Sequence, residues 1–262
     1  MYLILTHDVD WGRNGPGKDH ILSRRERFDE VVMRQVLEED FNPYYGIPYI
    51  MDVEERLGVR STFFFRSRYD DGTSIDLYED ALKDLVNGNW EVGLHNNDVG
   101  SVELVREEKE RIERVAGITI KGCRVHYLRI NQDNLFILRD AGCIYDSSIM
   151  YTKDRFDYRN AGFQVIHGLT EFPITFMDTY IFTYMKLSED RVISFINESL
   201  DKLMNKNIKF ATLLWHDNSI HMRGGRIYPA LLEHIASRDD IIILRGIDAY
   251  KKSRGVVRKN GH

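Results

Sequence analysis

The sequence predicts an α/β fold in which about seven βα units surround a parallel sheet or barrel. Two observations carry this. Short β-rich runs alternate with longer helical patterns along most of the chain, as parallel strands joined by crossover helices require. Most of the short runs also end in titratable residues, and a parallel barrel gathers reactive groups at the C-terminal ends of its strands.

The first strand is expected over residues 2–6, followed by the Gly-rich loop 11–18 and helices over 25–39 and 48–57, the second stopped by Gly58. A strand over 60–65, a helix over 77–87 ending at Gly88, and a strand over 90–94 come next. Then follow a helix over 102–115 ending at Gly117, a strand over 122–126, a helix over 132–141 ending at Gly142, and a strand over 144–146. Glycine stops a helix because it accepts the backbone conformation that terminates one. Residues 151–183 are rich in aromatics with few helical signals, and with loop 11–18 they are candidate substrate loops. Ser188 caps a helix over 189–204 with acidic residues in its first turn; a strand over 210–215, a helix over 228–237 and a strand over 241–244 complete the pattern. The basic end, Lys251 to Lys259, reads as a solvated terminal helix and tail. No repeat, low-complexity tract or linker interrupts the chain, so residues 1–262 are expected to form one domain.

Composition narrows the function. The 262 residues are 43% hydrophobic and 29% charged, which fits a globular protein and excludes a disordered one. Thirty-six Lys and Arg against 41 Asp and Glu give a net charge of −5, which argues against a nucleic-acid partner. Cys123 and Cys143 have no CxxC spacing and lie in apolar runs, so they are expected to be inert buried thiols. No run approaches the length of a membrane span, and the apolar stretch 2–5 stops too soon for a secretory leader, so a cytoplasmic protein is expected.

Five endings concentrate the chemistry: Thr6-His7-Asp8-Val9-Asp10, Gly93-Leu94-His95-Asn96-Asn97-Asp98, Arg124-Val125-His126, Tyr145-Asp146-Ser147-Ser148 and Leu214-Trp215-His216-Asp217. Strand alternation puts Asp8 and Asp10 on one face, with His7 and Val9 on the other. Two carboxylates so close repel unless a cation lies between them or one is protonated. One as a ligand to a divalent metal, the other as a general base, resolves the conflict and gives a hydrolase. The plainer alternative is a pair that caps a loop or binds an arginine.

Taken in order, these endings resemble the motifs of the polysaccharide deacetylase family (carbohydrate esterase family four, the NodB-like homology domain). The resemblance implies an incomplete or distorted (β/α)7-type barrel of parallel strands and a single catalytic domain. Thr6 to Asp10 is similar to the first motif, which makes Asp8 the base and Asp10 a metal ligand. Glu91 to His95 resembles the second, with His95 a ligand. Arg124 to Arg129 resembles the third, whose Arg orients the catalytic Asp, and Tyr145 to Ser148 the fourth, which lines the groove and brings in Asp146. Leu213 to Asp217 resembles the fifth, in which His216 protonates the leaving amine and Leu214 lines the acetyl pocket.

One departure matters. The family's second motif carries a further His four residues after the first, and here that position is Val99. Either Asp98 or His126, which stands where many members have proline, could complete three ligands with Asp10 and His95. His126 is favoured because it sits at a strand end, while Asp98 could cap the next helix. The implied cofactor is a divalent metal, zinc above all.

The implied reaction is attack of an activated water, deprotonated by Asp8, on an N-acetyl carbonyl, with His216 as the acid and Asp217 or another carboxylate holding its proton. Asp8 and His216 are expected to face each other across the barrel mouth. Trp11, Tyr127 and Trp215, with Tyr151 and Phe163, are candidate sugar-stacking aromatics, although core packing would explain many of them. Without a leader, a saccharide precursor is the expected substrate, nucleotide- or lipid-linked and bound for a surface polysaccharide such as O-antigen. Arg24, Arg25 and Arg27 could meet its phosphates or simply begin an exposed helix. Hydrolysis of another C–N amide, of the purine or allantoin type, and a sugar-binding relative without metal are the alternatives.

Overall fold

The computed structural model describes residues 1–259. Ten strands form one sheet: β1 (Tyr2–Val9), β2 (Thr62–Phe65), β3 (Glu91–Asn96), β4 (Gly122–Val125), β5 (Tyr145–Asp146), β6 (Gln164–Ile166), β7 (Leu169–Glu171), β8 (Phe176–Met177), β9 (Phe210–Leu214) and β10 (Ile242–Leu244). Their order is β6-β7-β5-β4-β3-β2-β1-β9-β8, with β10 also on β1. Every pairing is parallel except β6 with β7. Among the described residues nothing joins β6 to β8, so the sheet is an incomplete, curled (β/α) barrel.

The helices are α1 (Lys18–Leu22), α2 (Glu30–Glu38), α3 (Ile47–Arg56), α4 (Glu79–Asn87), α5 (Val102–Ala116), α6 (Leu135–Asp140), α7 (Asp178–Thr183), α8 (Glu189–Asn205), α9 (Tyr228–Ala236) and α10 (Gly246–Lys259). The helix expected over 25–39 is broken, because the Asp29 side chain accepts a hydrogen bond from Val32 N (2.9 Å) and starts α2 afresh after a 3-10 turn at Arg25–Arg27. Gly117 and Gly142 take left-handed backbone just past α5 and α6, as their positions predict. Ser188 occupies the N-cap of α8 without a side-chain cap bond. The basic end continues α10, and residues 260–262 lie outside the described ones.

β1 is central. Residues 2–6 pair with β9 and residues 6–9 with β2, and the strand is buried along nearly its whole length. It extends to Val9, beyond the expected end, so His7 and Asp8 are fixed by sheet hydrogen bonds. His7 points into the core behind the sheet. Its Nε2 lies 2.8 Å from Glu54 Oε1 and its Nδ1 2.7 Å from the Trp215 carbonyl. The fully buried Glu54 also accepts from Ser61 Oγ (2.8 Å), Trp90 Nε1 (2.6 Å) and Tyr228 OH (2.8 Å).

Two expectations need correction. Residues 151–183 are not a plain loop but carry β6, β7, β8 and α7, strands of two or three residues that are too short to show periodicity. The cysteines are buried as expected but are not free: Cys123 on β4 and Cys143 just before β5 form a disulfide, with Cα atoms 6.4 Å apart. β4 and β5 are adjacent parallel strands, and a 20-residue crossover brings the two cysteines side by side, an adjacency that spacing along the chain does not reveal.

Candidate active site

Where β1 runs out toward its C-terminal end, alternation delivers Asp8 and Asp10 to one face, as predicted. Asp8 is buried and its Oδ1 accepts from Arg124 Nη1 at 2.8 Å. The guanidinium has no freedom: Nε donates to the Ser147 carbonyl (2.7 Å), Nη2 to Ser147 Oγ (2.8 Å) and Nη1 also to Thr6 Oγ1 (2.9 Å). Arg124 is completely buried, so its charge is compensated by Asp8 rather than by solvent.

Asp10, His95 and His126 converge beside this pair, with one ligand atom from each lying within 4.8 Å of the others. His95 Nε2 is 3.2 Å from Asp10 Oδ1, and His126 Nδ1 is 3.1 Å from His95 Nε2 and 3.4 Å from Asp10 Oδ1. His95 Nδ1 lies 2.9 Å from the Arg124 carbonyl, which can only accept, so that nitrogen donates and the ring is held with Nε2 facing the cluster. Burial alone would raise the Asp10 carboxyl, but hydrogen bonds from His126 and His95 and the charge of His216 hold it well below the usual carboxylate range. Burial lowers His126 and favours its neutral, ligating form. Two imidazole nitrogens and a carboxylate oxygen aimed at one point form a donor set that fits zinc.

Asp98 is not part of this cluster. It is exposed, and its Oδ1 accepts from Gly100 N (2.7 Å). Nor does it cap α5, because Ser101 does, accepting from Leu104 N at 3.2 Å. Val99 packs against the core.

His216 stands just past β9, which is the hydrogen-bonded neighbour of β1, so it lies beside the aspartates and not across the mouth from them. Its Nε2 is 3.7 Å from Asp10 Oδ2. The carboxylate that holds it is Asp178, at the start of α7 and absent from the sequence reading. Asp178 Oδ1 lies 2.6 Å from His216 Nδ1, and Oδ2 accepts from His216 N (3.0 Å) and from Ser219 Oγ. Burial would lower His216, but the charge and hydrogen bond of Asp178, helped by Asp10 and Asp8, raise it to about 10. Asp217 does not take this role. It is buried with Oδ2 facing Gly46 N at 3.4 Å, and burial pushes its carboxyl well above the ordinary range.

Asp8, Asp10, His95, His126, Asp178 and His216 share the wall of a cavity of about 700 Å³. Of the seven candidate substrate contacts only Tyr127 is on that wall, 62% exposed with left-handed backbone at φ 56°. Trp11 packs edge-on against His20 and Tyr44 under the first loop. Trp215 is in the core, donating from Nε1 to the Gly225 carbonyl (3.2 Å), and Leu214 packs with Ile174 and Met177. Asp146 is buried, accepting from Ser148 Oγ (2.7 Å) and Ser148 N (3.0 Å). Tyr151 and Phe163 line a different cavity, of about 890 Å³, with Tyr2 and Phe210 at the opposite ends of the strands. Arg27 reaches the wall of the site cavity; Arg24 and Arg25 do not.

No family model matches the chain, and no curated protein matches it. Solved structures do. A protein assigned as a polysaccharide deacetylase from Mycobacterium smegmatis superposes with a TM-score of 0.70 at 16% identity, over 98% of this chain and 91% of that one. Another assigned the same way, from Pseudomonas aeruginosa, gives 0.65 at 15% identity over 100% and 92%. The fold is that of the polysaccharide deacetylases. The polysaccharide deacetylase fold also carries an allantoinase (TM-score 0.65, 13% identity, 95% and 89% coverage) and a carbohydrate esterase family four pseudoenzyme from Bacillus anthracis (0.52, 14%, 95% and 65%). The fold therefore does not name the reaction, and the side chains at the strand ends must.

Proposed function

We propose that this chain, acting as one catalytic domain over residues 1–262, is a divalent-metal-dependent hydrolase that removes an N-acetyl group from an amino sugar or saccharide precursor in the cytoplasm. We place it in the making of a surface polysaccharide of the O-antigen type. The observation that carries the reading is the convergence of Asp10, His95 and His126 next to two preorganised proton carriers, the Asp8–Arg124 pair and the Asp178–His216 pair.

Asp10, His95 and His126 would hold the cation, most fittingly zinc, which when bound polarises an acyl oxygen and acidifies water. Asp8 is the general base. Arg124 occupies its Oδ1 and fixes its plane, while Oδ2, 3.7 Å from His95 Nε2, faces the cluster and takes the proton of the attacking water. His216 is the general acid. Asp178 holds Nδ1, so Nε2–H points to the side of Asp10, where the amine departs, and the raised affinity for that proton keeps it available at neutral pH.

The test is metal content and acetate release together. Purified protein should bind about one zinc, and Asp10→Ala, His95→Ala and His126→Ala should each lose it, whereas Asp98→Ala should keep it. Acetate should be released from N-acetyl sugars, and cyclic amides should stay intact. Ring-opening of cyclic amides without acetate release from the sugars would favour the allantoinase-like reading, which the structural likeness to that enzyme supports. Bound sugar without metal would favour a non-catalytic relative.

A further inference from the structure

Two interior charges of the cavity are matched, Asp8 by Arg124 and Asp178 by His216, and Asp10 lies against His95 and His126. Its wall carries three further cations, Arg27, Lys153 and Arg223, none of which has a carboxylate within ion-pair reach among the described residues. The neighbouring cation Arg226 shows the contrast, since it is paired with both Asp29 (3.2 Å) and Glu189 (3.0 Å). Three unmatched positive charges around one cavity are unexpected in a chain of net charge −5.

They are also held in place. Arg223 N donates to the Arg27 carbonyl (2.6 Å) and Arg223 Nε to the Phe28 carbonyl (3.1 Å), which laces the turn after α1 to the loop after β9. The two guanidinium groups thus come from tied segments, with the terminal nitrogens of Arg223 left for another acceptor. The Lys153 ammonium sits 5.3 Å from the Tyr180 ring and 6.0 Å from the Tyr184 ring, on the aromatic part of the rim.

We infer that the substrate carries a phosphate as well as its N-acyl sugar, and that Arg27, Arg223 and Lys153 bind that phosphate. Arginine forks and a lysine point charge suit a compact group with several oxygens and more than one negative charge, and about 700 Å³ holds a sugar together with such a group. The inference rests on the deacetylase reading of the site and adds the class of substrate to it.

Calorimetric titration of N-acetylglucosamine, and of the same sugar carrying an anomeric phosphate, tests this on protein stripped of divalent metal and again after reloading with zinc. The phosphorylated sugar should bind at least tenfold more tightly in both states. The triple variant Arg27→Gln, Lys153→Gln, Arg223→Gln should lose that advantage while its thermal unfolding stays near that of the parent, because all three side chains are exposed. Equal affinity for the two sugars would overturn the inference, as would an advantage that survives the triple substitution. An advantage seen only after reloading would place the phosphate on the metal and would overturn it too. Nucleotide-linked and polyprenyl-phosphate-linked sugars distinguish the sources of the phosphate: the carrier that adds affinity identifies the natural one, and no gain from either supports a free sugar phosphate. Absence of acetate release with the preference intact would sink the deacetylase reading alone. Acetate release without the preference would sink only this inference.

Discussion

Replacing Asp178 by Asn tests the acid half of the site directly. The substitution keeps the size of the side chain and removes the charge that raises His216 to about 10. The ordinary value for His is about 6.5, so the shift is worth on the order of 5 kcal/mol at about 1.4 kcal/mol for each pH unit. With Asp178 neutral, the remaining large influence is burial, which lowers His216, and its pKa should fall to 6.5 or below. At neutral pH the protonated fraction would drop from nearly all to roughly a quarter or less, and the alkaline limb of kcat should move down by about 3.5 units or more. A cation at Asp10 lowers both forms by a similar amount, so the quantity to compare is the difference between parent and variant. The same shift stabilises the folded state. His216 binds its proton more tightly folded than unfolded, so this contribution is complete below about pH 6.5 and is lost as pH rises through about 10. Kinetics against pH give one measurement, and imidazole titration by NMR gives a second that does not depend on turnover. An alkaline limb and a His216 titration that stay in place in Asp178→Asn would refute the assignment.

Two further perturbations probe buried charge away from the reaction. Glu54→Ala strips a carboxylate with four hydrogen-bonded partners from behind β1 and leaves His7 buried without its ion-pair partner, so denaturant unfolding should show a loss of about 3–5 kcal/mol; a loss under about 1 kcal/mol would contradict the network. Glu171 pairs in register with Asp146, and burial together with the Asp146 charge pushes it well above the usual range. Its proton is therefore bound more tightly in the folded chain, so stability should fall as pH rises from about 4.5 toward the raised value. Glu171→Gln should flatten that slope, and an unchanged slope would assign it to other groups.

The strand ends were legible because chemistry and topology coincide there: Asp8, Asp10, His95, Arg124, His126 and His216 each follow a short apolar run, and a parallel barrel brings such ends together. Asp178 was not. It lies 38 residues from His216, behind strands too short to show alternation, and nothing local marks it. The aromatic contacts failed for a different reason. β9 is buried throughout, so the sequence could not say whether Leu214 or Trp215 would see the cavity, and the structure gives both to packing. Strand order was hidden as well. The β1–β9 adjacency that sets His216 beside Asp10, and the β4–β5 adjacency that joins Cys123 to Cys143, are long-range facts that no local pattern encodes.

That position 126, and not position 99, joins Asp10 and His95 follows from how the chain leaves β3. After Asn96 the backbone is tied down: Asn97 N donates to Glu108 Oε2 (2.9 Å), Asn97 Nδ2 to the Arg68 carbonyl (2.9 Å), and Gly100 N to Asp98 Oδ1 (2.7 Å). This turn commits Val99 to the core and not to the ligand cluster. β4 lies beside β3 in register His95↔Arg124 and Asn96↔Val125, so the next residue, His126, emerges at the rim with Nδ1 within 3.1 Å of His95 Nε2. Left-handed backbone at Tyr127 and Leu128 turns the chain away directly afterwards. If the tied turn decides the matter, histidine at position 99 cannot replace histidine at 126. The variant Val99→His, His126→Ala should bind zinc no better than His126→Ala alone, and both should fall at least tenfold below the parent. Zinc affinity restored to the parent level by Val99→His would show that the turn after β3 is pliable and that the ligand position was never fixed by the fold.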